Sequence, residues 1–163
     1  MRPILAIAAV LLPALAAAQP PVDVRFADLS KFSDLRNNEF RDERDSAELA
    51  EELRKHLESK APARLPPGTR LAVTITDVDM AGEFLPVPRS ANRPLRIVKE
   101  AYPPRVDLEF RLARADGRVE REGRRELRDL GFLSRTRLNE REALAHEKAL
   151  LDDWLKREFP AAR

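Results

Sequence analysis

The chain has 163 residues, 30 basic and 28 acidic, and no cysteine. Near-balanced charge argues against nucleic acid as the main partner, which would favour a basic stripe with aromatic platforms. The absence of thiols excludes disulfides, thiolate metal sites, cysteine nucleophiles and the lipid-bearing cysteine of a bacterial lipoprotein. The opening "MRPILAIAAVLLPALAAAQPP" has a positive n-region at Arg2, an apolar run from Ile4 to Ala18, and a small-residue cleavage site at Ala16–Ala18. This is the pattern of a cleaved signal peptide over residues 1–18, with Gln19 as the mature N-terminus. The run is too short, and too interrupted by Pro13, to stay as a membrane anchor. An exported, cysteine-free chain with no membrane span in its mature part is expected in the bacterial periplasm.

Residues 19–163 have the size of one domain. Val22, Val24 and Phe26 alternate with polar residues, the period of a half-buried strand. "DSAELAEELRKHLESKA" reads as a helix, with Asp45 as its cap, Glu48 as the returning half of a capping box, and Leu49, Leu53 and Leu57 as its stripe. The prolines and Gly68 of "APARLPPG" end it. "RLAVTITDVD" resumes the two-residue period, and if that period stays regular Asp77 and Asp79 continue the face of Leu71, Val73 and Ile75. "AGEFLPVPRSANRPL" reads as a long loop, "RIVK" as a short strand, and "YPPR" as a stiff extended entry to the next strand.

"RVDLEFRLARADGRVEREGRREL" is a hairpin: Val106, Leu108, Phe110 and Leu112 alternate with charges, "ADG" reverses the chain and Val119 starts the return. The arginine- and glutamate-rich return strand suits a sheet edge. Arginine there has two readings, a solvated face of local ion pairs or a surface for an anionic envelope component. "NEREALAHEKALLDDWLKREF" closes as a helix capped by Asn139, with Leu144, Leu151, Trp154 and Leu155 on its buried stripe. The expected fold is therefore α+β: a mainly antiparallel sheet of four to five strands in the order β-α-β-β-β-β-α, with two helices packed on one face.

Several segments, in order and over nearly all of residues 19–163, resemble a family of small exported proteins of Gram-negative bacteria, Domain of Unknown Function 3016. They are "VRFADLSKFSDLR", "LPPGTRLAVTITDVDMAGE", "RIVKEAYPPRVDLEFRLARADGRV" and "HEKALLDDWLKREF". The resemblance implies a periplasmic α+β domain and carries no activity with it.

The candidate site residues are Asp77, Asp79, Glu83, Tyr102 and Arg105. A buried carboxylate must be paired or hydrogen-bonded. One reading makes Asp77 and Asp79 organisers of the "MAG" bend, with Gly82 taking an unusual backbone conformation and Arg105 or Arg96 as the paired cation. A second makes Asp77, Asp79 and Glu83 hard oxygen ligands for calcium or magnesium, although an EF-hand loop is excluded because Ala81 and Pro88 stand where ligands belong. A third makes the aspartates an acid/base pair. Tyr102 either packs at the core edge or, exposed beside Arg105, anchors a peptide or carboxylate. His56 and His146 lack companion ligands, and no nucleophile elbow, zinc-protease helix or phosphate loop is present. The expectation is a non-enzymatic binding or accessory module of the cell envelope, without catalytic residues, metal or cofactor, contacting an envelope protein or a small anionic ligand through residues 83–105. The rival is a metal-dependent or hydrolytic enzyme on Asp77, Asp79 and Glu83.

Overall fold

The computed structural model describes residues 20–35, 42–84, 96–134 and 144–160. The expected signal peptide, Gln19, the greater part of the proline-rich loop and the Asn139 cap lie outside these residues. Eight main elements follow one another: β1 (Val22–Phe26), α1 (Glu43–Lys60), β2 (Thr69–Asp79), β3 (Glu83–Phe84), β4 (Arg96–Ile97), β5 (Arg105–Arg114), β6 (Val119–Arg128) and α2 (Ala145–Glu158). The principal sheet has the order β1-β2-β5-β6. β1 runs parallel to β2, which the intervening helix α1 permits. β5 is antiparallel to both β2 and β6. The fold is α+β as expected, with the short strand at Arg96 removed from the main sheet: it pairs with Glu83–Phe84, inside the stretch read as loop.

One face of the sheet carries the core. Val22, Val24, Leu71, Val73, Ile75, Leu108, Phe110 and Leu112 meet Leu53 and Leu57 of α1 and Leu150, Leu151, Trp154 and Leu155 of α2 in one apolar cluster. Each of the fully buried leucines contributes about 1.5–3 kcal/mol by leaving water. The capping of α1 differs from expectation. Asp42, not Asp45, is the N-cap, and its side chain accepts the N–H of Asp45. The first turn therefore starts three residues earlier, with Glu43 and Asp45 placed to favour the helix dipole. The two helices are joined by His56 Nε2 and Asp152 Oδ1 at 2.8 Å and by Lys148 Nζ donating to Glu52 Oε1 at 2.6 Å.

β6 is an edge strand, and its inward side shows how few apolar residues an edge needs. Arg125 lies 5.0 Å from the Phe110 ring centroid and grips Glu158 of α2 with two hydrogen bonds, at 2.8 and 3.0 Å. The arginine stem and guanidinium plane roof the core where a leucine would otherwise stand.

β2 holds the main correction. Its register against β5 shifts between Ile75 and Asp77, so that Thr76 and Asp77 together oppose Asp107. This bulge inverts the alternation. Val78, not Asp77, returns to the core, fully buried and opposite Val106. Asp77 and Asp79 leave the face of Leu71, Val73 and Ile75 and join Arg105 and Asp107 on the other side of the sheet.

Candidate functional site

Two polar clusters meet around the end of β2. The first lies on the side of the sheet away from the core. Asp77 and Asp107 are direct cross-strand neighbours, as are Asp79 and Arg105. Arg105 donates Nη2–H to Asp77 Oδ2 at 2.5 Å and Nη1–H to Asp107 Oδ2 at 2.8 Å. Asp77 also accepts from the Ser33 backbone N–H at 2.6 Å, the Ser33 hydroxyl at 2.7 Å and the Val78 N–H at 2.9 Å. A carboxylate with four such donors is a structural anchor. It ties the segment after β1 to the end of β2, where the Asp34 N–H also donates to the Val78 carbonyl.

Asp79 is held far less. Its carboxylate is 3.9 Å from Arg105 Nε and its side chain is 48% exposed. Partial burial, followed by the nearby Asp34 charge, raises its pKa against the pull of Arg105. Burial likewise raises that of Asp107, whose Oδ1 has no hydrogen-bond partner. Among the described residues, no three His, Cys, Asp or Glu side chains are grouped so as to hold a metal ion. The expected partnership of Asp77 with Arg105 is present, whereas Arg96 pairs elsewhere.

The second cluster is the turn Met80–Ala81–Gly82, and all six of its backbone polar groups have partners. Met80 N–H donates to Asp34 Oδ2 at 2.7 Å and Ala81 N–H to Glu147 Oε1 at 2.8 Å. Gly82 N–H donates to the Tyr102 carbonyl at 2.9 Å. The three carbonyls all accept from Arg96: Ala81 from Nε at 2.8 Å, Met80 from Nη2 at 2.5 Å and Gly82 from Nη2 at 3.1 Å. Arg96 Nη2 also bonds Asp34 Oδ2 at 2.6 Å, and the guanidinium carbon lies 4.9 Å from the Phe84 ring centroid. Gly82 has φ +86°, and a Cβ there would stand 2.3 Å from the Ile97 carbonyl oxygen. Glycine is required at this position by both space and backbone conformation.

This clamp joins four parts of the chain: the segment after β1, β4, the Tyr102 bend and the first turn of α2. Glu147 is 2% exposed, and burial raises its pKa although the Ala81 N–H favours its ionised form. It sits where α2 starts without a side-chain cap, after Leu144 at φ 60°.

Of the expected site residues, Asp77, Asp79 and Arg105 come together. Glu83 and Tyr102 form a separate pair: Glu83 accepts from Lys99, and hydrogen bonding to Lys99 first and Tyr102 second lowers its pKa. Tyr102 is 44% exposed. Reading the sequence missed Asp34 and Glu147; of the two cations it offered for the aspartates, Arg105 pairs with Asp77 and Arg96 with Asp34. For Glu147 a signal exists, because it is spaced with Leu151 and Trp154 on one helical stripe, where a charge must find a partner; Leu144, also expected on that stripe, lies just outside the helix.

A cavity of about 350 Å³ opens beside the clamp, lined by Met80, Ala81, Arg96, Val98, Leu133, Leu144, Ala145, His146 and Glu147. Val98 and Leu133 at its rim are 44% and 51% exposed. The His146 ring meets Phe132 edge-on at 4.9 Å, as an aromatic packing residue. Arg96 Nη1 and His146 Nδ1 are buried and have no hydrogen-bond partner. Leaving such a nitrogen unanswered costs about 1–3 kcal/mol. Larger hollows, of about 590 and 460 Å³, lie on the side of the sheet away from the core. They are troughs over Ala72, Thr74 and Ala113, and the arginines Arg25 and Arg111 beside them are paired with Asp23 and Glu122.

No helix among the described residues is long and apolar enough to cross a membrane. No curated protein and no solved structure matches the chain. Residues 20–157 match the family described as protein of unknown function (DUF3016), a span that takes in both clusters and the cavity, and the chain belongs to that family.

Proposed function

We propose that this chain is an exported, non-enzymatic binding or accessory module of the cell envelope, working in the periplasm and contacting its partner through the surface around the Met80–Gly82 turn. The signal-peptide pattern of residues 1–18 supports export. The carrying observation is the contrast between the acids and the cavity. Asp77 is saturated by four donors, and the turn spends all its backbone groups internally. Beside them an open cavity has exposed Val98 and Leu133 at its rim and Arg96, with one buried nitrogen lacking an acceptor, among its lining residues. Contiguous apolar exposure with convergent polar groups is the mark of a binding surface.

The test is crosslinking of the full chain in the periplasm of a Gram-negative host, alongside the doubly substituted Val98→Asp/Leu133→Asp chain. Recovery from the periplasmic fraction and loss of the crosslinked species in the variant are expected. Retention in the cytoplasm, or identical species in both chains, overturns the proposal.

The metal-dependent or hydrolytic reading has one observation in its favour: Arg105 faces three carboxylates, and that of Asp79 is half exposed. Calorimetric titration with calcium, magnesium, manganese and zinc separates it from the first. Heat and a raised melting temperature at millimolar metal, both abolished by Asp79→Ala, would favour this reading.

A further inference from the structure

The cavity beside the clamp also limits what can fill it, and the inference drawn from it rests on the binding-module reading above. Arg96 has five N–H donors. Three acceptor carbonyls and Asp34 are served by Nε and Nη2 alone. Nη1 is left buried with no acceptor, and His146 Nδ1 on the same wall is left likewise. Buried polar atoms without partners are uncommon enough that each calls for an explanation, and here two belong to residues lining one cavity. The rest of the wall is largely apolar: Met80, Val98, Leu133, Leu144 and Ala145. An anionic acceptor and an apolar body are the complementary shape and charge.

We propose that this cavity binds a small monocarboxylate with an apolar body, its carboxylate on Arg96 Nη1 and its chain or ring against Met80, Val98, Leu133 and Leu144. Nη1 is buried while the cavity is empty, so binding must uncover it as the exposed rim side chains Val98 and Leu133 part to admit the ligand. In the water-poor interior a charge-assisted bond to guanidinium is stronger than at the surface. Glu147 is already committed to the Ala81 N–H, and burial favours its neutral form, which weakens the repulsion an incoming anion meets. The sheet troughs are flanked by Arg25 and Arg111, already paired with Asp23 and Glu122.

The experiment titrates the full chain with octanoate, octanol and octylamine, by calorimetry and by melting temperature. Octanoate is expected to bind and to raise the melting temperature, with octanol at least tenfold weaker and octylamine without effect. Val98→Asp is expected to weaken octanoate at least tenfold while melting like the parent in the absence of ligand, because Val98 is 44% exposed. Leu130→Asp, at a position 71% exposed and off the cavity wall, should bind as the parent does. Arg96→Lys should also weaken octanoate, but it disturbs the turn, so Val98→Asp decides the location. No heat and no melting shift at millimolar octanoate overturns the proposal. Equal binding of octanol overturns the carboxylate assignment, and unchanged binding by Val98→Asp overturns the site. If these fail while crosslinking is still lost in the Val98→Asp/Leu133→Asp chain, the binding-module reading stands without this ligand.

Discussion

Gly82 and Gly117 share the same backbone angle, φ +86°, yet they differ in what surrounds them. Around Gly117, in the β5–β6 turn, nothing lies within 4 Å of an added Cβ; at Gly82 that atom would strike the Ile97 carbonyl. Gly117→Ala should therefore cost only the conformational penalty, about 1–2 kcal/mol. Gly82→Ala should add overpacking against backbone, for a total of about 2–5 kcal/mol. Urea unfolding of the two variants checks this, and equal losses would show that the 80–82 turn yields more easily than its contacts indicate. The two aspartates of "DVD" divide in the same way. Asp77→Ala leaves Arg105 and the Ser33 donors short of an acceptor and should lower stability by about 1–3 kcal/mol. Asp79→Ala removes one exposed, 3.9 Å contact and should stay within about 0.5 kcal/mol. The same denaturation series reads both, and a larger loss for Asp79→Ala would reverse the assignment of anchor and bystander.

At the scale of elements, what was legible in the sequence depended on periodicity. β2 could be read as far as Ile75, because Leu71, Val73 and Ile75 alternate without interruption. The bulge at Thr76 could not be read: an extra residue changes no composition, and "TDVD" is as good an alternation before the insertion as after it. The error put both aspartates on the core face. The helical stripes were legible for the same reason as the strand, and the caps less so, since Asp42 and Asp45 are equally good capping residues. The clamp was the least legible part. Asp34, Arg96 and Glu147 come from a polar segment, a proline-rich stretch and a charged helix, and only folding brings them to one turn. Glu147 makes the clamp's strongest element-scale prediction. Burial holds its pKa above the ordinary glutamate value of 4.5 in the folded chain. The folded state therefore binds its proton more tightly than the unfolded state, and this group's contribution to stability falls as pH rises from 4.5 through the folded value. Glu147→Gln keeps an acceptor for Ala81 N–H but does not titrate. It should match the parent below pH 4.5 and gain on it as pH rises through that window. Glu147→Leu, which removes the acceptor, should be about 1–3 kcal/mol less stable even below pH 4.5. Unfolding at stepped pH tests this, and a difference between Gln and Glu that does not change with pH would contradict it.

Across the whole molecule, both helices lie on one side of a four-stranded sheet, so the chain's ends are secured by unlike means. At the C-terminal end, α2 is pinned to β6 by Arg125 and Glu158, over Phe110, with Trp154 and Phe159 packed edge-on against that ring. At the N-terminal end, the described structure is secured from Pro21 onward: the Pro21 carbonyl accepts from Leu71 N–H, and Val22 and Val24 are 2% and 5% exposed. If residues 1–18 are a signal peptide, a chain starting at Gln19 keeps every one of these contacts and should melt cooperatively at the temperature of the full chain. A chain starting at Ala27 loses β1 altogether. It forfeits the burial of two valines, about 1.5–3 kcal/mol each, and the parallel ladder from Val22–Leu71 to Phe26–Ile75. It also bares the hydrogen-bonding edge of β2, a template for aggregation. Against a net stability of about 5–15 kcal/mol for a typical domain, this should abolish cooperative melting and drive the chain into aggregates. Circular dichroism melts with light scattering distinguish the three chains. A lowered melting temperature in the chain from Gln19 would mean that the first 18 residues belong to the fold. An unchanged melt in the chain from Ala27 would mean that β1 is not part of the core.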